Sequence, residues 1–182
     1  MYDLHQLGWS SFQQLCLTIT REILGQTVGS FLDSGDGGRD GAFAGTWSTV
    51  GQEYLSGPFV IQCKFISKIN YTLRVSDLTD EIEKVKKLVE RGICDSYVLM
   101  TNVGVSGTVS GKIESIFKTA GVKQVVTYGS TWINQQIREN KRLRMLVPRV
   151  YGLGDLSQIL DERAYLQART ILESMREDLA KV

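Results

Sequence analysis

The strongest constraint on the fold lies in residues 33–65, where a glycine-rich turn precedes an apolar strand. Residues 35–41 are Gly-Asp-Gly-Gly-Arg-Asp-Gly. Glycines at this density permit positive φ angles and close approach of the backbone, so the segment is predicted to form a tight turn. The turn is expected to place the carboxylate of Asp40 at the start of the apolar strand that follows it.

The second half of this stretch, residues 59–65 (Phe-Val-Ile-Gln-Cys-Lys-Phe), predicts a central strand. Because side chains alternate along a strand, Gln62 and Lys64 are expected on one face and the apolar residues between them on the other. Asp40, Gln62 and Lys64 would then lie on adjoining strands and point the same way. This arrangement indicates a functional site, and a buried polar network that only satisfies its own hydrogen bonds is the alternative.

The rest of the chain alternates helical and extended patterns, which predicts an α/β fold with a mixed sheet flanked by helices. Residues 45–57 are expected to form a hairpin connection or a mobile loop. Helices are predicted over residues 4–25, 76–91, 112–121 and 131–140, and strands over residues 27–32, 59–66, 95–102 and 122–128.

Hydrophobic spacing predicts which face of each of the first two helices is buried. In the first helix the predicted stripe is Trp9, Phe12, Cys16, Ile19 and Ile23. In the second it is Leu78, Ile82, Val85 and Val89. Asp77, Asp80 and Glu81 fall in the first turn of the second helix, where negative charge complements the helix dipole.

Several functional classes are excluded by residue content. The single histidine, His5, and three cysteines in apolar segments, without a Cys-x-x-Cys pair, exclude zinc ligation and histidine-based triads. Residues 107–113 approximate a phosphate-binding P-loop, but they have one residue too few between the glycines, and Ile113 replaces the required Ser or Thr. No apolar run is long enough to span a membrane, and no secretory signal is evident, so a cytoplasmic location is expected.

These features together resemble the PD-(D/E)xK nuclease superfamily and, within it, the Mrr-like restriction endonucleases. The matching segments are residues 8–13 (Gly-Trp-Ser-Ser-Phe-Gln), the turn at residues 35–40, and residues 61–64 (Ile-Gln-Cys-Lys). Mrr-like proteins carry an Asp-Gly-Gly-x-Asp turn and a Gln-x-Lys variant of the Glu-x-Lys strand. The resemblance covers roughly the first two-thirds of the chain. It implies a restriction-endonuclease-like core, with a mixed β-sheet flanked by α-helices.

The resemblance also implies a metal site. Mg²⁺ would be held by the Asp40 carboxylate, the side-chain carbonyl of Gln62 and the backbone carbonyl of Cys63, while Lys64 orients the attacking water and stabilises charge on the phosphoryl oxygens. Gln13 stands where Mrr-like proteins often place a supporting glutamate. Because Gln13 and Gln62 lack the charge of glutamate, a second metal ion is in doubt and Mn²⁺ is an alternative to Mg²⁺.

The implied activity is that of a metal-dependent endodeoxyribonuclease acting on double-stranded DNA. Since one site cuts one strand, a dimer or tetramer is expected. Arg39, Lys68 and Arg74 are candidate contacts to nucleic acid, although a solvated connection explains the last two equally well. RNA as the substrate remains open, as does a catalytically inactive nuclease-fold module for nucleic-acid binding or oligomerisation. The net charge of +1 and Gln13 favour the inactive module.

Two segments near the C-terminus have further interpretations. A dense basic run at residues 138–149 is expected to contact phosphates or a partner domain, or to be a solvated end of the domain. Residues 151–182 resemble the helical connector before the NTPase of STAND-type antiphage ATPases (the Avs group). The resemblance implies a nuclease domain at residues 1–150, a connector at residues 151–182, and a C-terminal NTPase and sensor region as a partner in prokaryotic antiphage defence.

Overall fold

The computed structural model describes residues 2–24, 29–30, 41–48, 54–150, 167, 169–171 and 173. Short 3-10 helices at Leu4–Leu7 and Val75–Leu78 lead into the first and second α-helices. The main elements in chain order are α1 (Gly8–Leu24), β1 (Gly29–Ser30), β2 (Gly41–Ser48), β3 (Tyr54–Lys64), α2 (Thr79–Glu90), β4 (Ser96–Thr101), α3 (Gly107–Thr119), β5 (Gln124–Tyr128), α4 (Ser130–Glu139) and α5 (Lys141–Val150).

The strands pair in the order β1-β2-β3-β4-β5, so β3 lies at the centre. β3, β4 and β5 form a parallel sheet, in which Gln62 is opposite Leu99 and Lys64 is opposite Thr101. β2 and β1 extend the sheet beyond β3 through antiparallel pairs. The predicted α/β class, with helices flanking the sheet, is confirmed.

The sheet separates two hydrophobic cores. β3 shares its side chains between them: Phe59 and Ile61 face one core and Val60 faces the other. The first core packs the sheet against α1, α4 and α5 through residues such as Phe12, Leu15, Ile19, Ile133, Ile137 and Leu143. The second packs it against α2 and α3 through Leu78, Val85, Leu88, Ile113 and Phe117. All six residues of β4 are buried, because both faces of this strand are covered.

The first core is closed by contacts between residues far apart in the chain. Asn134 on α4 accepts a hydrogen bond from the backbone nitrogen of Tyr2 at 2.6 Å and donates one to its carbonyl at 3.3 Å. The core on the other side is made of residues 60–125, which include α2 and α3. The layer on the α1 side therefore combines residues from Tyr2 to Leu143, whereas the layer on the α2 side is built from one continuous part of the chain.

Several sequence-based boundaries need correction. The predicted connection at residues 45–57 is a hairpin in which the strands extend further than expected, since Ser48 still pairs with Tyr54. Trp9, predicted to be buried, is 53 % exposed. The first helical turn is a separate 3-10 helix, Leu4–Leu7. Gly8, where φ is +68°, follows it and changes the orientation of the residues in α1.

Parts of the predicted organisation lie outside the described residues. These include the glycine-rich turn at residues 33–40 and most of the C-terminal arm, of which residues 167, 169–171 and 173 are helical. The basic run lies at the end of α4 and on α5, and α5 contacts α1 and α4. No helix among the described residues is long and apolar enough to cross a membrane.

Cys94 should make the stability depend on pH. Burial, with a smaller contribution from the Asp95 carboxylate, raises the pKa of this thiol from 9.0 to about 12. In the unfolded chain the thiol ionises at its ordinary pKa. Between these two values the unfolded state binds fewer protons, so the free energy of unfolding falls as the pH rises, by roughly 1.4 kcal/mol per pH unit at most.

Urea titrations at about pH 8 and about pH 10 measure this loss of stability. The loss is expected to be larger for the wild type than for Cys94→Ala, which lacks the thiol. Equal losses in the two proteins would contradict the assignment.

Candidate active site

The central strand β3 carries two of the predicted site residues on one face. Val60 belongs to the core beneath α2 and α3, and the alternation of the strand puts Gln62 and Lys64 on that same face. Gln62 is 8 % exposed. Lys64 is the last residue of β3, and its side chain is 26 % exposed. The predicted parity of the strand is confirmed, and the site lies at the carboxyl end of β3.

Helix α2 contributes an acid that the sequence analysis did not assign to the site. Leu78, Val85 and Leu88 are buried against the sheet, and Glu81 lies on the same helical face, 5 % exposed. Glu81 Oε1 accepts a hydrogen bond from Lys64 Nζ at 3.0 Å, which makes the two side chains an ion pair. The strand and the helix are thus joined by opposite charges at the edge of a hydrophobic core.

Only the acid of this ion pair is buried. The Glu81 side chain is 6 % exposed, while Lys64 keeps contact with solvent. A buried carboxylate requires compensation by a cation or by hydrogen-bond donors, because desolvation disfavours its charge. Lys64 compensates Oε1, whereas Oε2 is buried and accepts no hydrogen bond from the residues that the structure describes. This second oxygen is a buried acceptor at the rim of the site.

Asn102 fixes the chain immediately after Lys64. Its Oδ1 accepts a hydrogen bond from the Ile66 backbone nitrogen at 2.7 Å, and its Nδ2 donates to the Ile66 carbonyl at 2.9 Å. The same Nδ2 lies 3.2 Å from Nδ1 of His5. Asn102 follows β4 directly and is 2 % exposed, so its side chain continues the pairing of β3 with β4 beyond the last backbone pair.

The segment that follows β3 brings together the predicted basic and aromatic residues. Lys68 Nζ lies 5.3 Å from the centre of the Tyr71 ring, and Arg74 Cζ lies 5.2 Å from it. The Tyr71 hydroxyl donates a hydrogen bond to Asp77 Oδ1 at 3.1 Å. Desolvation, then this hydrogen bond, raises the pKa of Tyr71 above its ordinary value. Two cations therefore flank one tyrosine in the segment that follows Lys64 in the chain.

The remaining predicted site residues either lie outside the described residues or belong to the α1 side of the sheet. Asp40 and Arg39 lie outside the described residues, although β2 begins at Gly41, whose partner on β3 is Ile61. Gln13 is half-buried on α1, the helix that packs on the opposite face of the sheet from α2. Cys63 is half-buried and packs with the core on the α1 side.

A divalent cation such as Mg²⁺ needs several oxygen ligands close together. Among the residues that the structure describes, no three His, Cys, Asp or Glu side chains are grouped so that they could hold a metal ion. The donors that are described, the amide of Gln62 and the carboxylate of Glu81, are oxygen ligands of the kind that Mg²⁺ and Mn²⁺ prefer. Glu81 Oε2 is buried and has no hydrogen-bond donor among the described residues, so a cation beside it would compensate this oxygen.

The P-loop-like segment at residues 107–113 is part of a helix. α3 begins at Gly107, and the hydroxyl of Ser106 accepts a hydrogen bond from the Val109 nitrogen as its N-cap. Ile113 is fully buried in the core beneath α2 and α3. The glycine spacing of this segment therefore reflects a capped helix start.

Glu81 was missed because the stripe of α2 was assigned through Ile82 and Val89. The buried positions are Leu78, Glu81, Val85 and Leu88, which lie three or four residues apart on one face. A carboxylate at this spacing is the sequence signal for a buried acid with a partner. Comparisons with known proteins add no further assignment, since no family model and no curated protein sequence matches the chain.

The Lys64–Glu81 ion pair should be energetically coupled. In a double-mutant cycle of Lys64→Ala and Glu81→Ala, measured by urea unfolding, we expect a coupling of about 1–3 kcal/mol because Glu81 is buried. The control is the exposed pair Lys86–Glu83, with side chains 49 % and 67 % exposed, joined at 2.8 Å. Its cycle should give less than about 0.5 kcal/mol. Equal couplings in the two cycles would show that burial does not strengthen the first pair.

Asn102 should stabilise the backbone after β3. Asn102→Ala leaves the backbone groups of Ile66 without their partner and should lower the free energy of unfolding by about 2–3 kcal/mol. Hydrogen exchange at the Ile66 amide should accelerate at the same time. Gln135→Ala, which removes an exposed side chain hydrogen-bonded to Glu139, is the control. An Ile66 amide that stays protected in Asn102→Ala would refute this role.

Proposed function

We propose that this chain is a metal-dependent endonuclease that hydrolyses phosphodiester bonds of double-stranded DNA. The observation that carries the proposal is the position of Lys64. It lies on the same face of the central strand as Gln62, at the strand's carboxyl end, and is held by the buried acid Glu81. A lysine tethered in this way, yet partly open to solvent, suits a group that must meet a charged substrate.

The arrangement of the sheet supports a restriction-endonuclease-like core of the Mrr type. The antiparallel pair β2–β3 adjoins the parallel pair β3–β4, and helices cover both faces. The residue before β2 is Asp40, and the first residue of β2 pairs with Ile61, the neighbour of Gln62. The proposal places the Asp40 carboxylate beside Gln62 across this pair of strands.

Each residue then has a distinct task. Asp40, the Gln62 amide oxygen and the Cys63 carbonyl would hold Mg²⁺ or Mn²⁺, which when bound neutralises phosphate charge and lowers the pKa of water. Lys64 orients the attacking water and stabilises negative charge on the phosphoryl oxygens. Glu81 is a positioning residue that keeps the ammonium of Lys64 at the end of the strand. The negative charge of Glu81 also offsets the absence of a carboxylate at position 62, where the Glu-x-Lys form of this strand has glutamate.

One observation favours a second candidate, a nuclease-fold module without cleavage activity. The ion pair with Glu81 engages Lys64 and cancels its charge, as it would in a purely structural pair. Such a module would bind nucleic acid or mediate oligomerisation. Cleavage of RNA instead of DNA is a further variant, because the proposed groups contact phosphate and do not distinguish the sugar.

The wider role is proposed from the sequence resemblance. A single site cuts one strand, so breaking both strands of a duplex requires at least two copies of the chain, and a dimer or tetramer is proposed. Residues 151–182 would connect the nuclease to an NTPase and sensor region in an antiphage defence protein. Assembly through that region would bring the nuclease copies together.

Nicking of supercoiled plasmid tests the proposed function. The wild type should nick DNA in Mg²⁺ or Mn²⁺ and not in EDTA. Lys64→Ala and Asp40→Ala should each lose at least about 100-fold of the rate, as expected when a group that stabilises the transition state is removed. Glu81→Gln should lose about tenfold, as for residues that orient a functional group.

Lys86→Ala is the matched control, because it removes a lysine of an exposed ion pair on α2 and should leave the rate unchanged. Structured RNA tested in parallel distinguishes the two substrates. Identical background rates for the wild type and Lys64→Ala on both substrates would favour the inactive module.

A further inference from the structure

The segment between β3 and α2 displays one strongly exposed apolar side chain. Ile69 is 76 % exposed, the highest value among the exposed large hydrophobic side chains of the described residues. It stands in a turn with Asn70, whose φ of +53° is the only positive value for a non-glycine residue in the described part of the chain. The backbone thus adopts an uncommon conformation next to an isoleucine that packs against little else.

This segment is anchored on both sides of Ile69. Before it, Asn102 holds both backbone groups of Ile66. After it, Thr72 forms an isolated bridge with Gly104, and the Leu73 nitrogen donates to the Gly104 carbonyl at 2.9 Å. Leu73 is itself buried. A turn fixed in this manner presents Ile69 in a defined direction, so that little conformational entropy is lost when it binds a partner.

The segment that carries the exposed isoleucine also carries two cations. Lys68 and Arg74 lie against the Tyr71 ring, and neither forms an ion pair with any residue that the structure describes. Asp77 is an acid of the same segment. One of its carboxylate oxygens accepts a hydrogen bond from the Tyr71 hydroxyl, and the other accepts one from the backbone nitrogen of Arg74. The cations are therefore available to a polyanion.

The chemistry of the turn favours nucleic acid over an apolar protein surface. The exposed residues beside Ile69 are Ser67, Lys68 and Asn70, so that a polar surface surrounds a single apolar side chain. A protein-docking patch requires a contiguous apolar area, which these neighbours do not provide. An isolated apolar side chain next to a lysine in the chain matches the wedges that enter the minor groove and separate adjacent base pairs.

We propose that Ile69 is a wedge that inserts between base pairs of duplex DNA, while Lys68 and Arg74 contact the flanking phosphates. This inference builds on the proposed function and specifies how that site would engage its substrate. Ile69 follows Lys64 by five positions, so the two residues are at most about 18 Å apart and the distortion would occur within that distance of the site of cleavage. Pyrimidine–purine steps unstack most easily, and we therefore expect tighter binding at TA and CA steps than within A-tracts.

The test measures binding and base unstacking in EDTA, where metal-dependent cleavage does not occur. A duplex with 2-aminopurine at a central TA step reports unstacking as a rise in fluorescence, and anisotropy of an end label reports affinity. The wild type should bind and raise the fluorescence at least about twofold, because the wedge unstacks the probe. Ile69→Ser should bind about 5- to 20-fold more weakly and give no rise at saturation, whereas Ile69→Leu should retain both.

Two controls separate the wedge from general effects. Ile171→Ser alters another exposed isoleucine, at 59 % exposure, and should behave as the wild type. Lys68→Ala should weaken binding to all sequences and reduce the salt dependence by about one phosphate contact, while the fluorescence still rises at saturation.

The outcomes distinguish this inference from the proposed function. An unchanged affinity and fluorescence response in Ile69→Ser would overturn the wedge, and so would the absence of DNA binding by the wild type at low salt. If Ile69→Ser instead abolishes self-association in light scattering without affecting DNA binding, the residue serves a protein contact and the wedge is overturned. A wild type that unstacks the probe through Ile69 but never nicks DNA would support the wedge and refute the nuclease.

Discussion

The free-energy cost of burying the Glu81 carboxylate governs the arrangement around β3. Glu81 lies among the hydrophobic residues that join α2 to the sheet, and Lys64 is the cation that compensates it. The pairing fixes the end of β3 against α2 more specifically than apolar contacts do, because charged groups require a defined distance and direction. The lysine is thereby held at the rim of a dry core, with its charge still close to water.

The two faces of the central strand β3 pack against different helices. Ile61 and Cys63 serve a core made with α1, whereas Gln62 and Lys64 face α2. Beyond Lys64 the backbone leaves the sheet, and its polar groups need new partners, which Asn102 supplies. The same short stretch thus contains the candidate site residues, the backbone that Asn102 fixes, and the cationic turn around Tyr71.

Much of the fold could be predicted from sequence because it follows local patterns. Alternation along residues 59–65 assigned the faces of β3 correctly, and the apolar runs located β4 and β5. The burial predicted for Trp9 was wrong because a 3-10 turn before α1 shifts the helical face. The burial of Glu81 was missed because the acids in the first turn of α2 were explained by the helix dipole, and the buried face was assigned through Ile82 and Val89. Both depend on tertiary packing, which a residue's own type does not reveal. Asp40, the remaining candidate ligand, lies outside the described residues, and its proposed place beside Gln62 follows from the pairing of the next residue, Gly41, with Ile61.

The contact between Tyr2 and Asn134 has a consequence for the order of assembly. The layer formed by α2 and α3 draws on one continuous stretch of about sixty residues, so its contacts close shorter loops than the contact between Tyr2 and Asn134 does. The opposite layer is complete only when residues 132 positions apart meet, and closure over such a separation is entropically costly and slow. We therefore expect the half of the molecule that contains Lys64 and Glu81 to nucleate folding, with α1 docking afterwards.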